Sequence, residues 1–211
     1  MFLYRNSYGT KGIYNKLNEV QVDLPFKNKW NNDLTLNFDD SNWRKYFKIC
    51  FRNYRDPFHQ WFQYRILHRI LGTRKLLHLF GISNSPFCLS CNSEVETLIH
   101  LFFSCPRVND LWRQLEHKIS SCTGFFIHLS PVNILLGYTE YNSNSNAINF
   151  IILVAKIYIY NASKRPSELH IQDLLCNIKN IYIEHKQTAK LDSNEENFDR
   201  IWYQMKSLFN A

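Results

Sequence analysis

The chain has 211 residues, 45% of them hydrophobic and 16% aromatic, enough for a buried core in one or two domains. Six cysteines are too few for a disulfide scaffold, and the most apolar run, Phe150 to Ala155 ended by Lys156, is too short to span a membrane. The net charge of +7 is localised: residues 44–79 hold nine basic side chains and a single acid, Asp56, while the flanks are close to balanced.

A basic segment of that kind is the footprint of a polyanion partner. The start, Met1-Phe-Leu-Tyr-Arg, has no apolar stretch of signal-peptide length. The expectation is an intracellular protein of the nucleus or cytoplasm, not secreted and not membrane-bound.

Taken in chain order, Gly9 to Val20 reads as a short helix, with Ile13 and Leu17 four apart. The stretch around Pro25, Lys27 and Asn31-Asn32 reads as loop. Asp39-Asp40-Ser41 marks a helix start, with Ser41 as the N-cap before Trp43. Trp43, Phe47, Cys50 and Tyr54 then recur at helical spacing, and Arg44, Lys48, Arg52 and Arg55 recur on another face. Asp56-Pro57 opens a second helix expected to run to Leu71 and to stop at Gly72. Phe58, Trp61, Arg65, His68 and Arg69 share one side of it, and Tyr64, Ile66, Leu67, Ile70 and Leu71 the other. Thr73 caps a third, short helix from Arg74 to Phe80.

The next stretch carries the sharpest motif. Cys88 and Cys91 form a CxxC pair, His100 follows after eight residues, and Cys105 after four more. Three thiolates and an imidazole are a complete ligand set for one structural zinc ion. A short helix from Glu96 to Phe103 would bring His100 and Cys105 to close the shell. Buried or redox thiols are the alternative, although a redox CxxC calls for a βαβ context that these flanks do not offer. Cys50, Cys122 and Cys176 read as buried thiols among apolar neighbours.

Beyond the motif, Val108, Leu111, Trp112, Leu115 and Ile119 mark an amphipathic helix. Thr123 to Asn146 is looser, with a polar run at Asn142 to Asn146 that reads as a linker. Ala147 to Ala162 is apolar and β-branched, and its length favours helix. Ile171, Leu174, Leu175, Ile178, Tyr182 and His185 mark a long amphipathic helix, and Phe198, Ile201, Trp202, Met205 and Phe209 a final one. The expected fold is mainly α, a helical array with an inserted CCHC zinc knuckle. Its expected divisions are an N-terminal connecting segment (1–40), basic helices with the zinc domain (41–122) and a C-terminal helical region (123–211).

For catalysis the sequence offers little. Asn37-Phe38-Asp39-Asp40 superficially suggests a polymerase metal turn, but the aromatic residue adjoins the acids and a helix-capping role suits them better. A zinc ion with four protein ligands keeps no position for a reactive water. The basic helices offer binding instead. Arginine pairs with phosphate in a fork, and aromatic faces stack on unpaired bases. The candidate nucleic-acid contacts are Arg44, Lys48, Arg52, Trp61, Arg65, His68, Arg69, Arg74 and Lys75. A solvated charged face is the alternative, evenly weighed for Arg44, Lys48 and Arg52. His59 and His78 read as ordinary histidines.

Several of these segments together resemble a known family. They are Trp43-Arg-Lys-Tyr-Phe-Lys-Ile-Cys50, Gln60-Trp-Phe-Gln-Tyr-Arg-Ile-Leu-His-Arg-Ile-Leu-Gly-Thr73, the CxxC, Glu96-Thr-Leu-Ile-His-Leu-Phe103 and Cys105-Pro106. Asn28-Lys-Trp30 and Ala155-Lys-Ile-Tyr-Ile-Tyr160 add to them. They resemble the zinc-binding C-terminal region of reverse transcriptases from LINE-type non-LTR retrotransposons. The resemblance implies metal ligands at Cys88, Cys91, His100 and Cys105, and a basic helix carrying Gln63, Arg65, His68 and Arg69. It implies contact with template RNA or target DNA. It does not extend to polymerase or endonuclease activity, because this chain shows no matching catalytic motifs. Two functions remain open: a non-catalytic nucleic-acid-binding module, and a protein-interaction module docking onto a polymerase core. In the second, the arginines would pack against acids such as Glu195, Glu196 and Asp199.

Overall fold

A computed structural model describes residues 25–52, 56–139, 144–165 and 167–209. The helix expected over Gly9–Val20 lies outside the described residues, as do Tyr54, Arg55, Asn142 and Ser143. The chain divides into two units, residues 1–37 and 38–211.

In the first unit, Pro25–Asp33 is a helix, α1. This overturns the expected loop. Proline is suited to the first turn, where its missing N–H would have no partner. Phe26 and Trp30, four apart, are both buried, and that burial outweighs the poor helix propensity of the asparagines. Thr35, at φ 54°, takes the chain out of the helix.

The second unit opens with α2 (Asp40–Arg52). Its cap is Asp39, not Ser41. The Asp39 carboxylate accepts the Asn42 amide at 2.8 Å and the Ser41 hydroxyl at 2.8 Å. Trp43, Tyr46 and Cys50 are buried along one face. Helix α3 (Pro57–Leu67) packs against α2 and is capped by Asp56, which accepts the Phe58 amide at 3.1 Å.

Helix α3 ends four residues before the expected stop at Leu71. The Arg69 amide donates to Ile66 O, and the Ile70 amide to Arg65 O, at 2.9 Å each. These two bonds form a Schellman closure, which needs a left-handed residue after the cap. Arg69 supplies it at φ 60°, a conformation that costs an L-residue about 1–2 kcal/mol. Gly72 therefore plays no part in ending the helix. Thr73 does cap the next helix, α4 (Arg74–Leu79), accepting the Leu76 amide at 3.4 Å.

Next come α5 (Pro106–Thr123), the short α6 (Pro131–Leu135), α7 (Ser145–Lys164) and α8 (Ile171–Leu191). Then come α9 (Glu195–Trp202) and a 3-10 segment, Gln204–Phe209. Helix α7 is the central shaft. Residues 147–156 are buried without interruption, and α3, α8 and α9 pack around it. A helix apolar on all sides has no solvent face to present, which is why its sequence lacks a clear stripe. Helix α5 buries Val108, Leu111, Trp112, Leu115 and Ile119, as its spacing requires.

No β-strand occurs among the described residues; a single antiparallel bridge joins Phe87 and Val95. The protein is mainly α. Nor is any helix among the described residues long and apolar enough to cross a membrane. Of the three remaining cysteines only Cys50 is buried; Cys122 is half-buried and Cys176 exposed. Cys176 sits two positions off the buried line of Ile171, Leu174 and Ile178, on the solvent side of α8.

Candidate metal centre and basic face

Cys88, Cys91, His100 and Cys105 come together. One ligand atom from each lies within 4.8 Å of all the others. Local structure explains how. The Phe87–Val95 bridge closes the base of a loop, with the Cys88 amide donating to Glu94 O and the Asn92 amide to Cys88 O, at 2.8 Å each. Asn92 is left-handed, at φ 54°. This turn places Cys88 and Cys91 side by side.

The Thr97 hydroxyl then accepts the His100 amide at 3.0 Å and starts a helical turn. That turn widens into a π-turn over His100–Ser104, closed by the Cys105 amide donating to His100 O at 2.9 Å. The wider turn sets the fourth ligand against the third. Pro106 begins α5 immediately afterwards, so Cys105 stands at a helix N-terminus, where the dipole favours a thiolate.

These residues fit zinc. Bonds of about 2.3 Å to sulfur and 2.0–2.1 Å to nitrogen, at tetrahedral angles, require ligand atoms roughly 3.5–3.8 Å apart. Cys91 Sγ and His100 Nε2 are 3.4 Å apart. His100 is buried, and its other nitrogen, Nδ1, donates to Glu94 Oε2 at 2.9 Å. A carboxylate on the far nitrogen fixes the tautomer and aims Nε2 at a metal.

The thiols support the same reading. Burial pushes the Cys88 thiol up, against the amides of Cys91 and Ser90, and pushes Cys105 up to about 12. Burial also opposes ionisation of Cys91, yet hydrogen bonds from the Ser93 side chain and the Ser93 and Glu94 amides prevail and bring it to about 6. Only a cation between them would let all three thiols ionise together. Zinc would supply that charge and tie the loop to the helices.

The centre is also tied to the basic segment. Glu96, buried between the CxxC loop and His100, accepts the Arg74 amide at 2.8 Å through Oε1. Its carboxylate thus sits at the start of α4; burial raises its pKa, and the Arg74 amide and charge offset that rise only in part. On the other side, Trp112 Nε1 donates to Phe102 O at 2.7 Å, joining the π-turn to α5.

The candidate nucleic-acid contacts fall into three groups. Arg44, Lys48 and Lys75 are exposed. Trp61 is exposed, at 55%, while Arg65, His68, Arg69 and Arg74 are half-buried. Arg69, in its left-handed turn, leaves the α3 stripe it was expected to share with Arg65. The side chain of Arg52 is outside the described set. Asp199, expected to attract the arginines in a docking module, lies 2.9 Å from Lys206. Exposed His78 faces Ser83 O at 2.8 Å, and buried His59 lies 2.9 Å from Asp56.

Gln63 is corrected. It is buried, and its amide donates to Leu135 O at 3.0 Å and Leu136 O at 3.4 Å, while its Oε1 accepts Lys156 Nζ. It joins α3 to α7 and the end of α6, and no ligand can reach it. Lys156, taken to end an apolar run, lies fully inside the core instead. Glu94 and Glu96 also escape sequence reasoning, because two acids in a loop carry no signal until the fold brings His100 and Arg74 beside them.

Residues 8–112, just under half of the chain, match the family described as zinc-binding in reverse transcriptase. The matched segment contains all four clustered ligands. The match supports a zinc-binding region of the kind associated with reverse transcriptases; that family is a zinc-binding accessory domain, not a catalytic polymerase domain. No curated protein matches the chain.

Proposed function

We propose that this chain is a non-catalytic, zinc-braced nucleic-acid-binding module, resembling the C-terminal part of a LINE-type non-LTR retrotransposon reverse transcriptase. One structural zinc ion is held by Cys88, Cys91, His100 and Cys105. Arg44, Lys48, Arg52, Trp61, Arg65, His68, Arg69, Arg74 and Lys75 are its contacts to template RNA or target DNA. The observation that carries the reading is the charge of residues 44–79, with Asp56 as their only acid, in a segment whose last helix, α4, is tied to the metal centre through Glu96. Phosphate contacts release counterions, so affinity depends steeply on salt. Thiolate zinc ligands suit a reducing compartment, the nucleus or cytoplasm.

Fluorescence anisotropy with structured RNA, single strands and duplex DNA across a salt series tests this. Binding that weakens steeply with salt supports it, and a shallower slope for the Arg44→Ala, Lys48→Ala double variant locates the contacts. Absence of binding by zinc-loaded protein refutes it.

A second reading has its own observation. Leu79, Phe80 and Ile82 are 71%, 69% and 70% exposed in a row before the metal centre. Such a tip favours docking onto the polymerase portion of a retrotransposon protein, with zinc only bracing the fold. Binding to that portion, lost in Phe80→Ser, would support it.

A further inference from the structure

The flank of α3 carries an ordered stack of rings. Trp61 stacks on Tyr64 with centroids 5.1 Å apart and planes 10° apart. Tyr64 stacks on His68 at 4.0 Å and 30°. Phe47 of α2 lies at the far end, 5.6 Å from His68. Trp61 ends the row at the near side, and with one ring face against Tyr64 it is still 55% exposed.

Side chains at positions 61, 64 and 68 of a helix share one face, so the row follows from sequence spacing. Its composition does not suit a core. Core residues interlock, whereas this row presents a large indole face to water. Basic residues flank these positions in sequence: Arg65 is one turn beyond Trp61, with its guanidinium 5.8 Å from the Phe62 ring centre, Lys48 follows Phe47, and Arg44 is one turn before Lys48. The only acid of the segment, Asp56, is occupied at the start of α3 by the Phe58 amide and His59.

We infer that the Trp61–Tyr64–His68 row is a stacking platform for unpaired bases, so that the preferred ligand is single-stranded nucleic acid. This rests on the nucleic-acid reading above and narrows it. An unpaired base extends the row by lying on the outer face of Trp61, while Arg65 and Lys48 meet the adjoining phosphates. A duplex keeps its base faces inside and cannot use the platform. Stacking is tolerant of sequence because every base has a flat face.

The test compares two probes of equal phosphate number, a single-stranded oligonucleotide and its abasic counterpart, on wild type, Trp61→Ala and Trp61→Phe. Zinc content and helicity are checked for each protein. The expected result is tighter binding of the intact strand by wild type. Trp61→Ala should lose about 5- to 150-fold on the intact strand and nothing on the abasic one. Trp61→Phe should recover most of the loss. Equal affinity for both probes, or an intact-strand affinity unmoved by Trp61→Ala, overturns the platform and leaves the phosphate-binding reading standing. Wild-type protein that binds neither probe overturns the platform, and overturns the nucleic-acid reading as well if structured RNA and duplex DNA also fail to bind.

Discussion

Lys156→Met has an outcome that the interior of the protein specifies closely. Lys156 is wholly buried in α7, with Gln63 Oε1 as acceptor for its ammonium. Burial brings its pKa down to about 7, with Cys50 nearby acting in the opposite direction. In the unfolded chain a lysine titrates at about 10.4. Between about pH 7 and pH 10 the unfolded chain therefore holds a proton that the folded chain has released. Stability must rise with pH across that window, by about 1.4 kcal/mol per unit.

Over about three units the gain is roughly 4–5 kcal/mol. Below pH 7 both states are protonated, and the penalty of burying the charge is constant and full. Methionine keeps an unbranched side chain of similar volume and removes the charge. It also strips Gln63 Oε1 of its donor, a loss of about 1–3 kcal/mol. At pH 7 the variant should therefore be more stable than wild type by about 1–4 kcal/mol. At pH 10 only the lost hydrogen bond remains, and the variant should be the less stable. Urea unfolding followed by circular dichroism at matched pH values gives the difference curve, in which shared titrations cancel. Curves that run parallel from pH 7 to pH 10 would refute the buried, neutralised lysine.

Glu94→Ala should leave the fold intact and weaken zinc about 10-fold, the low end for such partners because the carboxylate is largely exposed; chelator competition measures this, and unchanged affinity would remove Glu94 from the centre. Leu115→Ala, at a position fully buried in α5, should destabilise by about 2–5 kcal/mol, seen as a lower urea midpoint at unchanged slope. Gly137 adopts φ 128°, and a Cβ there would meet Ile49 Cδ1 at 2.8 Å and Asn149 Oδ1 at 3.2 Å. Gly137→Ala should cost about 1–3 kcal/mol from the strained backbone, a fall of several degrees in Tm by thermal unfolding.

The clustering of Cys88, Cys91, His100 and Cys105 was legible in their spacing: a CxxC turn needs two intervening residues, and a π-turn brings His100 onto Cys105. The amphipathic helices α5 and α8 were legible for the same reason, since each has one wet face. Helix α1 was missed because its only apolar anchors are Phe26 and Trp30, set among asparagines that favour turns. The end of α3 was misplaced because Gly72 is the residue that local chemistry favours for a left-handed turn, and the chain used Arg69 instead. Packing decided there, with Leu67 and Leu71 both buried on either side of the turn. Lys156 was read as a boundary because a lone lysine after an apolar run ordinarily reaches water. Nothing local announces Gln63, which lies 93 residues away in sequence and accepts a hydrogen bond from its amine. Tyr64 was assigned to the apolar side of α3 with Ile66 and Leu67, whereas its ring stacks between Trp61 and His68.

The central claim is that a zinc ion holds the CxxC loop, the π-turn and the basic helices in one arrangement. Metal quantification on purified protein, paired with thermal unfolding before and after chelation, tests it directly. The account predicts about one zinc per chain, lost with His100→Ala, and a fall in Tm and helicity on chelation that added zinc restores. Protein that folds fully without zinc, and whose unfolding is indifferent to chelator, would contradict it.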